Sequence, residues 1–152
     1  MPIVKRLGQQ KLLLDTHVWL WLAGGLTELS PSFRKAAEQA SERDLLFGAT
    51  ISPWEIGMLA AKGRIDLEKD PLDWVEESIS RLRLQLLPLT PRVAIQSSRI
   101  PGNIHGDSAD RILVASAREH NAILVTADKQ LLEFGRDKFI SVYNPQKTSH
   151  RS

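Results

Sequence analysis

The sequence predicts an α/β fold in which a parallel sheet of about five strands carries helices on both faces. Three observations support this. Short runs rich in Leu, Ile and Val alternate with stretches of helical length from residue 11 to residue 143, the rhythm of a parallel sheet with helical crossovers. Residues 12–14 are apolar without alternation, as a strand buried on both faces is. Helix punctuation falls between the runs: Ser30-Pro31, Asp70-Pro71 and Thr90-Pro91 each set a capping side chain before a proline, the chemistry of a helix start.

Taken in order, residues 1–10 show no periodicity and read as a loose lead-in. Residues 11–15 are the first strand, ended by Asp15, and a helix follows over 16–23 until Gly24-Gly25 stops it. The second helix runs from Ser30-Pro31 to about residue 43, and the second strand covers 45–50. Ser52-Pro53-Trp54-Glu55 opens a third helix to Lys62, with Gly63 just past its end. A fourth helix covers about 72–83, a third strand 84–89, and Thr90-Pro91 starts a helix to about 99. After a loop over 100–106 comes a buried central helix, with Asp107 near its N-cap and Asn121 past its end. The fourth strand, 122–126, leads to Asp128, a short helix over 129–134 and a last strand over 139–143. The polar, basic residues 144–152 read as a frayed tail, so one domain over 11–143 accounts for the pattern.

Composition narrows the classes of function. A chain of 152 residues is long enough for one real core. Its 20 Lys and Arg against 18 Asp and Glu leave a net charge of +2, too small to identify a nucleic-acid partner. The absence of cysteine excludes disulfides and thiolate metal sites and fits a reducing compartment. No apolar run approaches the ~20 residues of a membrane span, and no signal-peptide pattern opens the chain. A cytoplasmic protein with no membrane partner is expected.

The predicted architecture turns scattered acids into a site. Asp15 ends the first strand, Glu55 lies at the start of the helix after the second, Asp107 and Asp110 stand at the entrance of the central helix, and Asp128 follows the fourth strand. In open α/β sheets the ligand crevice lies outside the carboxyl ends of the strands, so these segments converge on one cleft. Each acid taken singly also suits a helix cap: Ser52-x-x-Glu55 matches a capping box, and Asp107-x-x-Asp110 resembles one. Asp15 and Asp128 fit that explanation least well, since each follows directly on an apolar run. Several carboxylates in one cleft repel one another unless a cation intervenes, and oxygen ligands without cysteine suit Mg²⁺ or Mn²⁺.

Four segments together, Leu12-Leu13-Leu14-Asp15-Thr16-His17, Ser52-Pro53-Trp54-Glu55-Ile56, His105-Gly106-Asp107-Ser108-Ala109-Asp110-Arg111 and Leu124-Val125-Thr126-Ala127-Asp128, resemble the PIN-domain ribonucleases. The likeness is nearest to the VapC-type toxins of type II toxin–antitoxin pairs, and covers about 11–143. It implies a three-layer PIN-like sandwich. It also implies that Asp15, Glu55, Asp110 and Asp128 are the catalytic, metal-binding set. Asp107 belongs to the variant with an extra acid before the central helix. Ser108-Ala109 stands where Pro-Phe is common, a departure that leaves the acids in place.

The expected chemistry is metal-assisted hydrolysis of RNA phosphodiesters, with Mg²⁺ or Mn²⁺ acidifying a water and neutralising the scissile phosphate. Glu55 or Asp110 would orient that water. Thr16 and Thr126 would support the acids; Arg111 and His105, with His17, are weaker candidates for touching substrate. Lys62, Arg64 and Arg99 are the remaining basic residues near the acidic segments. The likeness further implies a cognate antitoxin (VapB-like), whose Arg or Lys side chain would enter the acidic cleft. Val18, Trp19, Leu22 and Leu26 are the expected docking residues for its amphipathic segment. The tryptophans Trp19, Trp21, Trp54 and Trp74 suit packing and a homodimer. Two alternatives stand beside this reading. A receiver-like phosphoacceptor would need an acidic pair at the first strand and a Lys after the last; Asp15 stands alone, and the last strand leads to Asn144-Pro145. A non-catalytic PIN-fold interaction domain would not need the intact acid set.

Overall fold

Three leucines set the middle of the molecule. The computed structural model describes residues 6–26, 28–101, 107–137 and 139–147, and at its centre lies β1 (Leu12–Leu14), each residue fully buried. Successive strand residues point to opposite faces. Leu12 and Leu14 therefore enter one hydrophobic core and Leu13 the other. β1 pairs in parallel with β2 (Leu46–Ala49) on one side and β4 (Ile123–Val125) on the other. The edges are β3 (Gln85–Leu87) beside β2 and β5 (Ser141–Tyr143) beside β4, both parallel. The order is β3-β2-β1-β4-β5. The chain thus moves outward from β1 to β3, then returns to the other side of β1. That reversal makes the carboxyl ends of β1 and β4 the place where a crevice opens.

Helices cover both faces. One core receives Val18, Trp19 and Ala23 of α1 (Thr16–Gly24), Phe33, Ala37 and Ala40 of α2 (Pro31–Glu42), Ile56 of α3 (Ile51–Ala61) and Val75 of α4 (Pro71–Leu82). A short α5 (Pro91–Gln96) follows β3. The other core receives Leu113, Val114 and Ala117 of α6 (Ser108–His120), and Leu131 and Phe134 of α7 (Lys129–Arg136). Trp19 is the largest fully buried side chain, and its indole N–H donates to Ser78 Oγ at 2.8 Å, so its one polar group is satisfied. Gly48 makes room for that ring: a Cβ there would lie 3.0 Å from Trp19 Cζ3.

The five-stranded parallel sheet and the helix order agree with expectation, but several local readings need correction. The third strand is three residues long rather than 84–89, because Gln85 and Leu86 are exposed at a sheet edge. The last strand likewise spans 141–143 rather than 139–143. α5 ends at Gln96 rather than near 99, while α7 continues to Arg136. The residues after Asn144 do not fray at once. Ser30 N–H donates to Pro145 O at 2.8 Å, Lys147 N–H donates to Glu28 O at 3.0 Å, and Leu29 bridges Gln146. The lead-in also has structure, a 3-10 turn over Leu7–Gln9 with Gly8 buried against α2.

That last correction yields a test. A Cβ on Gly8 would stand 2.7 Å from Gln39 Cβ and 3.1 Å from Ala36 O. Gly8→Ala should therefore cost about 1–3 kcal/mol of stability through overpacking, read as a lowered urea midpoint. An unchanged midpoint would show that the turn does not pack on α2 in solution.

Candidate functional site

At the carboxyl end of β1 the backbone N–H of Asp15 donates to Val125 O at 2.9 Å, which ties it to β4. Asp15 is only 8% exposed. It occupies the N-cap position of α1, yet its side chain makes no cap bond. Its Oδ2 instead accepts a 2.6 Å hydrogen bond from the buried Thr126 hydroxyl. Thr126 Oγ1 in turn accepts from Asp128 N–H at 3.0 Å. One buried hydroxyl therefore orients the carboxylate of β1 and fixes the turn that carries Asp128.

Glu55 comes to the same place from α3. The capping-box reading of Ser52 and Glu55 is overturned: the N-cap of α3 is Thr50, with no side-chain cap bond. Glu55 Oε1 accepts from Thr16 Oγ1 at 2.6 Å, and Thr16 Oγ1 lies 2.8 Å from Ser52 Oγ. Asp107 and Asp128 do act as caps. Asp107 Oδ1 accepts from Asp110 N–H at 2.9 Å at the start of α6, and Asp128 Oδ1 accepts from Leu131 N–H at 3.1 Å at the start of α7. A cap uses one carboxylate oxygen and leaves the other.

All five acids line one open cleft of about 360 Å³, together with His17, Trp21, Ala127 and Gln146. Their mutual effects are clear. Burial pushes Asp110 up to about 7, reinforced by Asp107, Asp15, Asp128 and Glu55. Burial also raises Asp15, against the lowering effect of the Thr126 bond, and Asp128 adds to the rise. Glu55 is raised chiefly by burial, then by Asp15 and Asp107, and its bond from Thr16 works the other way. His17 lowers both Asp15 and Glu55, which puts its imidazole within electrostatic reach of the pair.

Such a cleft attracts cations. Five of its lining residues carry carboxylates, the ligand type of Mg²⁺ and Mn²⁺, and a bound cation would relieve the repulsion that helps to raise three of them. Among the described residues, no three His, Asp or Glu side chains are gathered closely enough to hold a metal ion as they lie; the acids line an open cleft.

The other expected residues fall in different places. Thr16 and Thr126 are buried behind the acids. Arg111 is half-buried beside Asp110 on α6, and His105 lies outside the described residues. Lys62 and Arg64 are exposed beyond the far end of α3, and Arg99 is exposed beyond α5. Val18 and Trp19, expected at a docking surface, are wholly buried. Leu20, Trp21, Leu26, Ile65, Leu67 and Trp74 form the apolar wall beside the cleft, in a groove of about 490 Å³ that shares His17 and Trp21 with it. Two residues at or behind the cleft, Ser52 and Gln146, are not among the site residues the sequence predicts. Ser52 carried a signal, a serine three residues before an acid, which the capping box explained away. Gln146 carried none, since it reaches the cleft through the pairing of 145–147 with 28–30.

Comparison with known proteins identifies the family and the fold. The PIN domain matches residues 12–137. The chain is 34% identical over 132 residues to ribonuclease VapC22 of Mycobacterium tuberculosis, covering 87% of this chain and 98% of that one. Among solved structures it resembles VapBC2 of Rickettsia felis bound to a promoter DNA fragment, with a TM-score of 0.66 and 17% identity over 88% of this chain and 97% of that one. It also resembles FitAcB of Neisseria gonorrhoeae, with a TM-score of 0.57 and 22% identity over the same shares of the two chains. At those identities the structural likeness is one of fold.

Proposed function

The chain belongs to the PIN-domain family and is a relative of the VapC ribonucleases, and from that premise we propose that it is a Mg²⁺- or Mn²⁺-dependent endoribonuclease, the toxin of a toxin–antitoxin pair. One observation carries the reading: five carboxylates from four segments meet in a single cleft at the sheet's reversal point. Asp15, Glu55, Asp110 and Asp128, with Asp107 at the entrance of α6, would hold the ion. When bound, it supplies positive charge to the scissile phosphate and acidity to water.

The chain's own residues do the rest. Thr126 holds one oxygen of Asp15 and keeps that carboxylate from turning to cap α1. Thr16 holds Oε1 of Glu55, so Oε2 is the oxygen left to accept a proton from an attacking water. Asp110 is pushed up to about 7 by burial and by its acidic neighbours, and a bound cation would drive it to the ionised form that can act as a ligand.

The partner reading has its own support. The similar solved structures include VapBC2 and FitAcB, and in this chain an apolar groove opens directly from the acidic cleft. A VapB-like antitoxin would lay an apolar helix face in the groove and send an Arg or Lys to the acids. Trp54 and Met58, 59% and 39% exposed at helical spacing on α3, favour a homodimer. No helix among the described residues is long and apolar enough to cross a membrane. We place the activity in the cytoplasm, where its RNA substrate is.

The test is direct. Purified protein should cut single-stranded or loop RNA with Mg²⁺ or Mn²⁺, stop with EDTA, and leave new 5′ ends that map the preferred sequence. Induced alone it should arrest growth, and co-expression of the neighbouring small open reading frame should restore it. Failure to cut a mixed RNA pool in millimolar Mn²⁺ sinks the nuclease reading. Cutting without growth arrest removes only the toxin role.

A further inference from the structure

Three residues in the first turns of α3 have the chemistry to cap a helix, and none of them does. The Thr50 hydroxyl accepts from Leu89 N–H at 3.2 Å, just beyond the end of β3. Ser52 is fully buried, and its hydroxyl meets Thr16 of α1 rather than its own helix. Glu55 turns to the same Thr16. The start of α3 has thus given up its capping groups to other elements, two of them to one hydroxyl beneath the acidic cleft.

A proton count orders that cluster. A threonine hydroxyl has one proton to donate and lone pairs to accept with. The 2.6 Å bond to Glu55 Oε1 uses the Thr16 proton when the carboxylate is ionised. The 2.8 Å contact with Ser52 is then made with Ser52 as donor. Ser52 so fills the acceptor side of Thr16 and fixes the rotor with its proton on Glu55. Without Ser52 the Thr16 hydroxyl keeps its partner but loses the constraint on its torsion.

We propose that Ser52 is a positioning residue for the Glu55 carboxylate, acting through Thr16 from behind the cleft. The inference rests on the nuclease reading only in making the orientation of Glu55 matter to cleavage. Ser52 is fully buried and does not line the cleft, so its effect passes through one hydroxyl. That distinguishes it from a residue that merely fills space.

A double-mutant cycle of Ser52→Ala and Thr16→Val tests this, read on two scales. The first is kcat and KM for RNA cleavage; the second is the Mn²⁺ concentration that gives half the metal-induced rise in Tm. Ser52→Ala removes one oxygen and leaves the Thr16–Glu55 bond, so it should fold, with a metal-free Tm near that of wild type. It should lower kcat about two- to tenfold, the rate equivalent of one neutral hydrogen bond, with KM unchanged. The Mn²⁺ midpoint should rise in step. In the Thr16→Val background, Ser52→Ala should change neither quantity, because the only path is already cut. If Ser52→Ala costs the same factor in both backgrounds, or nothing in the wild type, the proposal is overturned while the nuclease reading stands. A cycle that closes on the Mn²⁺ scale in a chain that cuts no RNA supports the role of Ser52 and removes the nuclease reading instead.

Discussion

Asp15→Asn should lower RNA cleavage about 10²–10³-fold, the scale of removing one fixed electrostatic group from a reaction centre, while leaving the fold intact. The amide has the shape of the carboxylate, and its oxygen can still accept the Thr126 hydroxyl bond. Only the charge is lost, from a group 8% exposed at the reversal point of the sheet. Glu55→Gln, Asp110→Asn and Asp128→Asn should fall in the same way. Asp107→Asn should fall less, since the likeness to PIN-domain ribonucleases gives Asp107 only as an extra acid before α6 and not as one of the four metal-binding residues. In cells the Asp15→Asn chain should be tolerated at an expression level where wild type arrests growth. Undiminished cleavage by purified Asp15→Asn would trace the activity to a contaminating nuclease or to another site.

The second large effect concerns stability and has a definite sign. In the unfolded chain Asp110 ionises near its ordinary 3.8, whereas in the fold it keeps its proton to about 7. Between those values the native state binds more protons than the unfolded one, so stability falls as pH rises. The contribution is whole below 3.8 and gone above about 7. Burial raises Asp15 and Glu55 in the same sense. Metal-free protein should therefore melt lower at pH 8 than at pH 5.5. Asp110→Asn should flatten that slope and stabilise the protein at pH 8 by about 1–2 kcal/mol, a figure reduced for the partial exposure of the side chain. For a domain of this size that is roughly 2–8 °C in Tm. Mn²⁺ at about a hundred times its Kd should add about 2.7 kcal/mol to wild type and distinctly less to Asp110→Asn. A wild-type melting curve indifferent to both pH and millimolar Mn²⁺ would mean the acids do not act as one site.

These expectations were open to inspection in the sequence because the residues that matter most are set by local rules. Asp15 and Asp128 each follow an apolar strand directly, and parallel pairing then brings their strand ends together. Asp107 and Asp110 open a helix, and the backbone alone puts them at its amino end. What stayed hidden depends on contacts between distant segments. Ser52 and Glu55 satisfy a capping box on paper, and only the arrival of Thr16 from α1 decides that they point elsewhere. α1 misled in another way. Val18, Trp19, Leu20, Trp21 and Leu22 are apolar in succession, so no periodicity marks a buried face. The sheet buries Val18 and Trp19 and leaves Leu20 and Trp21 to the groove. Gly8 and Gln146 are held by residues about thirty positions or more away in sequence, and nothing beside them announces it.

The bond from Thr126 to Asp15 joins residues 111 positions apart, and this sets an order of events in the making of the protein. The strands β1 and β2 can pair while later segments are still being synthesised, but β4 cannot dock on β1 until residues 123–125 have emerged. Contacts of such sequence separation form late, because the chain entropy between them must first be given up. An incomplete chain holds Asp15 and Glu55 without Asp110, Thr126 or Asp128, and so has an acid pair but no cleft. The assembled acid cluster therefore exists only after β4 and the turn to Asp128 have left the ribosome and docked on β1.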